Sequence, residues 1–173
     1  MLYTPRYLAA IPGIPYTTAL DINDAGEIVG WGWAGNVQAS LAWNSAGAPV
    51  ALRYFNVWTF GDWAGMAKSI NNSGVIAGWL SEPVPIIADP PIVPLHHAVY
   101  WPSMSATPVD IGPSGFISEA NDVNNAGMVV GTMSNVSGST VATTAAVTMG
   151  IRPCCSARRA ISPKPAILRA KSR

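Results

Sequence analysis

The chain lacks the charge that most soluble proteins carry. Only 11% of its residues are charged and 49% are hydrophobic, whereas roughly 25% of a typical soluble domain is charged. Disordered chains are rich in charge and poor in aromatic residues, so this composition argues against disorder. The few charges are also unevenly placed: residues 1–150 hold nine acidic and three basic residues, and residues 151–173 hold seven basic residues and no acid. Phosphate contacts need Lys and Arg, so we expect that nucleic acid is not the main partner of the acidic body.

Cysteine and histidine are also scarce. The two cysteines, Cys154 and Cys155, are adjacent, and adjacent cysteines rarely pair with each other because the geometry is strained. They form neither a disulfide framework nor metal-ligand spacing. The two histidines, His96 and His97, are too few for zinc, which needs three or four converging ligands. We interpret His97 as packed in a sheet and His96 as a surface residue, and we predict no cofactor and no metal.

Long apolar runs are missing as well. A membrane-spanning helix needs about 20 mostly apolar residues, but polar residues interrupt positions 124–151 and prolines break positions 83–95. The opening MLYTPRYLAAIPG lacks the basic region and the long apolar stretch of a signal peptide. We therefore expect no membrane span, and either a cytoplasmic protein or a fragment of something longer.

Glycine and proline are abundant, with 16 and 15 residues, and a glycine-containing motif occurs three times. It reads LDINDAGEIVGW at 20–31, KSINNSGVIAGW at 68–79 and NDVNNAGMVVGT at 121–132. Asn followed three residues later by Gly suits a type I turn, with the Gly at positive φ forming a bulge where the second strand starts. The same β-hairpin is therefore predicted three times. The predicted structural turn residues are Asn23, Gly26, Asn71, Gly74, Asn124 and Gly127.

A third strand follows each hairpin, and a fourth strand completes the first two repeats. In the stretch VQASLAWN, alternation places Val37, Ala39, Leu41 and Trp43 on one face, which predicts a half-buried strand. A fourth strand is predicted at 48–55 and at 107–112, and residues 4–13 look like the same element of a unit whose earlier strands are missing. A second glycine in each hairpin, at positions 30, 78 and 131, is interpreted as room for a neighbouring repeat.

These patterns predict an all-β domain over residues 1–150, built from tandem four-stranded antiparallel units at about 1–55, 56–112 and 113–150. Four strands in about fifty residues suit one blade of a β-propeller, so the expected architecture is a propeller-like partial array.

The motifs A-x-x-I-N-x-x-G-x-I-V-G-W, A-x-x-W and P-V-x-L/I together resemble the HAF repeat, which occurs in tandem in probable extracellular bacterial proteins. The resemblance covers roughly residues 1–150, with two full copies and one partial copy. It implies a secreted or cell-surface repeat protein, and it brings no catalytic residues with it.

The β pattern stops after residue 150, and residues 151–173 form a basic segment that we expect to be irregular. Three interpretations stay open. The segment is a basic arm for an anionic partner, an ordinary solvated extension, or the product of out-of-frame translation.

Candidate sites have simpler structural explanations. The stretch DINDAG at 21–26 resembles the start of a calcium loop, but Ala25 and Gly32 stand where oxygen ligands are needed. The acids lie mostly at turns and strand ends, and no pair is placed for glycoside hydrolysis, so no catalytic residue is predicted. Trp43 and Trp101 are interpreted as core, whereas Trp58 and Trp63 are the predicted exposed pair for ligand stacking.

The leading functional hypothesis is a non-enzymatic extracellular or cell-surface module for adhesion or ligand binding, with self-association through open repeat ends. The alternatives are a fragment of a carbohydrate-active enzyme and a truncated chain without independent function.

Overall fold

The structure is a computed structural model that describes residues 5–35, 37–55, 64–81, 95–135 and 145–150, and all regular secondary structure in these ranges is β-strand. The strands are β1 (Tyr16–Ile22), β2 (Ile28–Ala34), β3 (Val37–Trp43), β4 (Pro49–Ala51), β5 (Gly65–Ile70), β6 (Ile76–Ser81), β7 (His96–Trp101), β8 (Val109–Asp110), β9 (Phe116–Val123), β10 (Met128–Asn135) and β11 (Ala145–Gly150).

The strands form three antiparallel sheets in which chain neighbours pair with each other. The orders are β1-β2-β3-β4, β5-β6-β7-β8 and β9-β10-β11, and none of the sheets is closed. We call them units 1, 2 and 3. The all-β prediction is confirmed. Units 1 and 2 have the expected four strands, and unit 3 has three among the described residues.

Each unit begins with a hairpin whose turn ends in a glycine. Gly26, Gly74 and Gly127 have φ values of 78°, 76° and 76°. Each donates its N–H to the carbonyl of the asparagine three residues earlier, at 2.9, 3.0 and 3.0 Å. Residues with a Cβ are disfavoured at such φ angles, which explains why glycine occurs at this position in all three units.

The second glycine of each hairpin has a different role from the one expected. A Cβ on Gly78 would lie 2.0 Å from the carbonyl oxygen of Met66, which belongs to the first strand of the same hairpin. Gly30 and Gly131 face their own first strands at 1.9 and 2.1 Å. The interpretation as room for a neighbouring repeat is therefore wrong.

A β-bulge accompanies each of these close approaches. In unit 2, pairing skips from Ala67 to Ser69, so Lys68 has no partner opposite it. Units 1 and 3 show the same irregularity. The extra residue bends the first strand towards its partner, and glycine is the residue that leaves room for the approaching carbonyl.

The units pack face to face. One apolar cluster joins Val29, Ala42 and Leu52 of unit 1 to Ile70, Ile76 and Trp101 among others of unit 2. A second joins Ala77 and Ala98 of unit 2 to Ala120, Val123 and Val129 of unit 3. Residues of different hairpins are equivalent when they lie the same number of positions from Gly26, Gly74 or Gly127. We call the side of a unit that carries Ile70 or its equivalent the leading face. The side that carries Val29 or its equivalent is the trailing face.

This stacking buries strands on both faces, which strand alternation did not predict. In β3, Leu41 and Trp43 are fully buried as expected, but Ser40 and Ala42 between them are buried too. All six residues of β6 are buried. The half-buried pattern is wrong for β3 because unit 2 covers the face of unit 1 that a lone sheet would expose.

The core tryptophans fix the outer strands. Trp43 and Trp101 are fully buried, as predicted. Trp101 donates its indole N–H to the carbonyl of Arg53, just after β4, at 2.8 Å. Trp43 makes the same bond to the carbonyl of Ala9 at 2.9 Å. Residues around Ala9 thus lie against unit 1 in the same way that the residues just after β4 lie against unit 2.

The bulge glycines should be the least replaceable residues of the hairpins. We expect Gly78→Ala to lower the free energy of unfolding by about 3 kcal/mol, because the new methyl overlaps a backbone carbonyl that cannot rotate away. Gly115→Ala is the control, since Gly115 has φ of 78° but open space around it, and should cost only about 1–2 kcal/mol. Urea unfolding of both variants measures the difference, and equal costs would contradict the explanation.

Candidate functional site

The predicted turn residues cap their own hairpins. In unit 2, the side-chain oxygen Oδ1 of Asn71 accepts the backbone N–H groups of Ser73 at 2.9 Å and Val75 at 3.0 Å. Asn23 and Asn124 make the same pair of contacts in units 1 and 3. One side chain therefore satisfies two N–H groups that the tight turn leaves without strand partners.

The amide nitrogens of the same side chains connect consecutive units. Asn23 Nδ2 donates to the carbonyl of Asn71 at 3.1 Å, and Asn71 Nδ2 donates to the carbonyl of Asn124 at 2.9 Å. Asn23 and Asn71 are both buried, so losing these bonds would leave polar groups without water to replace them. The turn asparagines thus join the hairpins as well as shaping them.

The next residue of each turn adds a parallel set of contacts. The backbone N–H of Asp24 donates to Asn72 Oδ1 at 3.0 Å, and that of Asn72 donates to Asn125 Oδ1 at 2.9 Å. Asn72 Nδ2 also donates to the Asp24 carboxylate at 2.5 Å. The three hairpin tips are therefore held in one register along the stack of units.

Two carboxylates meet at the ends of the first strands. Ser69 Oγ lies 3.0 Å from Asp21 Oδ2 and 2.6 Å from Asp122 Oδ1. Asp21 also accepts the backbone N–H of Ile70 at 2.8 Å, and Asp122 accepts that of Val123 at 2.8 Å. The structure thus brings together two acids that the sequence analysis left apart, with a buried serine between them.

A second polar cluster lies at the joint between units 2 and 3. Glu119 contacts Lys68 Nζ at 2.5 Å through one oxygen and His96 Nδ1 at 2.9 Å through the other. His96 stacks on Trp79, with ring centroids 3.9 Å apart and planes 9° from parallel. The hydrogen bond from His96 lowers the pKa of Glu119 to about 2; burial opposes this, and the contact with Lys68 adds to it.

This cluster occurs at one joint, since the positions equivalent to Lys68 hold Leu20 and Asn121, and those equivalent to Glu119 hold Thr18 and Met66. Sequence analysis missed it, although these departures from the repeat were visible as a signal. His97 is packed in the sheet as expected, with its side chain 12% exposed. His96 was expected on the surface, but it is half-buried, with its side chain 31% exposed, because its face of unit 2 meets Glu119 of unit 3. His97 Nδ1 lies 3.2 Å from Asp110 Oδ2.

The predicted stacking pair, Trp58 and Trp63, lies outside the described residues. Among the described tryptophans, Trp33 is 41% exposed and meets Trp31 edge to face, with centroids 6.4 Å apart and an 87° angle between the rings. These two residues form an aromatic patch on β2, and Tyr7 and Tyr16 are exposed as well.

In the described part of the chain, two of the open cavities lie at the hairpin tips. The larger, of about 500 Å³, lies between units 1 and 2 and is lined by Glu27, Asn72 and Ser103 among others. The smaller, of about 240 Å³, lies beside unit 1 and is lined by Arg6, Leu8 and Ile22 among others. Neither is lined by Asp21 or Asp122.

The described part of the chain contains no cluster of three or more His, Cys, Asp or Glu residues arranged to hold a metal ion. It also contains no helix of the length and hydropathy needed to cross a membrane. Comparisons with protein-family models, with characterised proteins and with solved structures find no match to this chain.

The interunit role of the turn asparagine can be separated from its turn role. Asn71→Asp keeps the accepting oxygen but places a second oxygen against the carbonyl of Asn124, so we expect a loss of about 1–3 kcal/mol in unfolding free energy. Asn124→Asp is the matched control. Asn124 makes the same turn contacts but is exposed and has no following unit among the described residues, so at dilutions where the chain is monomeric its change should stay within about 0.5 kcal/mol. Equal losses in chemical denaturation would refute the interunit role.

The Glu119 cluster should make the fold sensitive to acid. The pKa of Glu119 in the folded chain lies below its ordinary value of 4.5, so its contacts stabilise the fold above pH 4.5 and are lost as pH falls towards 2. Wild type should therefore lose more thermal stability between pH 6 and pH 3 than Glu119→Gln, which starts lower but lacks this titration. Equal pH-dependent falls in Tm would show that the cluster contributes nothing to stability.

Proposed function

We propose that this chain is a non-enzymatic β-repeat module for ligand binding or adhesion. The observation that carries the proposal is that the polar residues of the hairpins hydrogen-bond to a neighbouring unit or to their own backbone. Asp21, Asp24 and Asp122 accept hydrogen bonds from a neighbouring unit or from the adjacent backbone. The asparagines beside them bridge consecutive turns. Groups engaged in this way hold a scaffold together, whereas a general acid or base needs its oxygen within hydrogen-bond reach of the substrate proton.

The sheets are propeller-like in arrangement under this proposal. First strands of all three units approach one another through Asp21, Ser69 and Asp122. The short fourth strands β4 and β8 lie at the far edges of their sheets. Sheets whose first strand lies in a shared inner region and whose fourth strand lies at the outer edge are typical of propeller blades. Closed propellers have about four to eight blades, so three units form part of a ring.

An extracellular or cell-surface location belongs to the same proposal, and the resemblance to the HAF repeat supports it. A binding role is supported by the aromatic surface on β2. Trp33 exposes its ring while Trp31 braces it edge to face. Flat aromatic faces of this kind are suited to stacking on sugars or on apolar groups.

The hydrolase alternative rests on one specific observation, the convergence of Asp21 and Asp122 on Ser69. Retaining glycosidases place two carboxyl groups about 5–5.5 Å apart. Here, however, the space between the acids is filled by a buried hydroxyl. Neither hairpin-tip cavity opens onto the two acids. The arrangement therefore favours a structural role for this pair.

The proposal is tested by measuring binding and hydrolysis on the same samples. Native protein is run through gels that contain soluble polysaccharides, and the reducing ends of each polysaccharide are then counted. We expect at least one polysaccharide to slow the protein without gaining reducing ends. Trp33→Ala should remove the retardation, and Tyr7→Ala, which changes an exposed aromatic residue outside β2, should keep it.

Two outcomes would overturn the proposal in different ways. New reducing ends that vanish in the double variant Asp21→Asn/Asp122→Asn would establish the hydrolase alternative. A wild-type protein that no polysaccharide retards would refute sugar binding by the module.

A further inference from the structure

The leading face of unit 1 is uncovered. Ile22 is 61% exposed, whereas its equivalents Ile70 and Val123 are 5% and 4% exposed because units 1 and 2 cover them. The trailing face of unit 3 is uncovered in the same sense. Val130 is 43% exposed, and its equivalents Val29 and Ala77 are fully buried. The two joints within the chain therefore show what covers each of these surfaces, namely the opposite face of another unit.

The small cavity beside unit 1 lies where the inner joint between units 1 and 2 holds the hairpin of the preceding unit. Its lining residues Leu8, Ile22 and Ile28 are equivalent to Leu52, Ile70 and Ile76, which form the core between units 1 and 2. At that inner joint the hairpin residues Ala25 and Glu27 of the preceding unit line the equivalent cavity. Met128, the equivalent of Glu27 in unit 3, is an exposed apolar residue of the kind that would enter the small cavity.

The strands at the two ends are also complementary. Unit 3 ends its described sheet at β11, with no fourth strand. Residues 5–9 hold the position of a fourth strand through the bond from Trp43 to Ala9, but no described strand pairs with them. Among the described residues, β11 thus has no neighbour on its outer edge, and residues 5–9 are placed as a fourth strand without a described partner.

We propose that two copies of this chain associate head to tail into a closed ring of six sheets. Residues 5–9 of each copy add as the fourth strand along β11 of the other copy, and Ile22 of each leading face packs on Val130 of the other trailing face. A head-to-tail contact that closes after two copies satisfies both ends of both chains. Six sheets also lie within the range of about four to eight that closed propellers use.

The sheets of units 1 and 2 fix the register of the added strand. Within unit 1, Leu52 N–H just after β4 donates to the carbonyl of Ser40 on β3 at 3.0 Å, and within unit 2, Ile111 N–H just after β8 donates to that of Ala98 on β7 at 2.9 Å. By equivalence, Leu8 N–H would donate to the carbonyl of Ala146 in the second copy. The turn contacts extend in the same way, because the amide of Asn124 would face the carbonyl of Asn23 in the second copy.

A second copy is the occupant that satisfies all these positions together. The competing occupant of β11 is the chain's own residues 151–173, which contain PAIL at 165–168 and so resemble PVAL at 49–52. That segment would complete the sheet of unit 3, but pairing with β11 would leave the leading face of unit 1 uncovered. The inference rests on the repeat architecture proposed above, but not on ligand binding.

The experiment is sedimentation equilibrium of the full chain, of mass 18.1 kDa, with two blocking variants. Ile22→Asp places a charge on the open leading face, and Val130→Asp places one on the open trailing face. Both positions are exposed within one chain, so the fold should survive. We expect wild type to be a dimer and each variant alone to dissociate at least about tenfold more readily, since a buried unpaired charge opposes association. Val109→Asp, at an exposed position in unit 2, is the matched control and should remain dimeric.

Mixing the two blocking variants tests whether the contact joins a leading face to a trailing face. Their mixture keeps one unsubstituted contact, between Ile22 of the Val130→Asp chain and Val130 of the Ile22→Asp chain, and should recover a one-to-one dimer. Recovery fails if copies associate face to face through like surfaces, and that result would overturn the proposal. A monomeric wild type would overturn it as well, as would any assembly larger than two chains.

Hydrogen exchange tests the added strand directly. The Leu8 amide should be protected in wild type and should exchange freely in Val130→Asp, which removes the second copy. A chain truncated after residue 150 should keep both the dimer and this protection. Loss of the dimer on truncation would show that the basic segment makes the contact and would overturn the strand addition. These readouts are independent of the polysaccharide assay, so failure of the dimer and failure of the binding role are distinguishable.

Discussion

One side-chain amide, that of the hairpin asparagine, supports both the local turn and the packing between units. In Asn71 the oxygen caps two N–H groups of its own turn, and the nitrogen bonds to the turn of the next unit. A single such bond contributes only about 1 kcal/mol in net terms. Its greater effect is on geometry, because it fixes the height at which one hairpin meets the next. The apolar faces can then pack only in one register.

That register explains the unusual composition of the strands. Unit 2 lies between two other units, so β6 is buried on both faces and has no position for charge. Small residues such as Ala77 and Ala98 fill the joint with unit 3, where larger side chains would hold the sheets apart. The low charge of the chain is therefore a consequence of stacking sheets, with polar residues confined mainly to turns and to the inner ends of strands.

Sequence analysis predicts what depends on a single hairpin or strand. Positive φ at Gly26, the all-β class and the burial of Trp43 follow from local spacing and alternation. The burial of Ser40 does not, since period-two alternation describes a sheet with one solvent face and carries no information about a second covering sheet. The meeting of Asp21 and Asp122 was also hidden, because 101 residues separate them and only the stacking of the units brings their strands together.

The departures from the repeat carry information that the repeat itself does not. Lys68, Glu119 and His96 replace residues of other types at equivalent positions, and together they form the ion-paired cluster at the joint of units 2 and 3. A consensus motif keeps only the positions that the repeats share, and these three residues are not shared. Analysis of the motif is therefore least informative where one joint differs from another.

The contacts between units also have a direction. At the turns a trailing side offers the asparagine amide and the next backbone N–H, and a leading side offers a carbonyl and a side-chain oxygen. In the other direction, Asp21 and Asp24 of the trailing side accept from the leading side. Two like sides would not bring these donors opposite these acceptors, and an unpaired buried polar group costs about 1–3 kcal/mol. The stack of units therefore has a direction, with a leading face at one end and a trailing face at the other. Any unit that covers Ile22 must present a trailing face, whether that unit belongs to the same chain or to another.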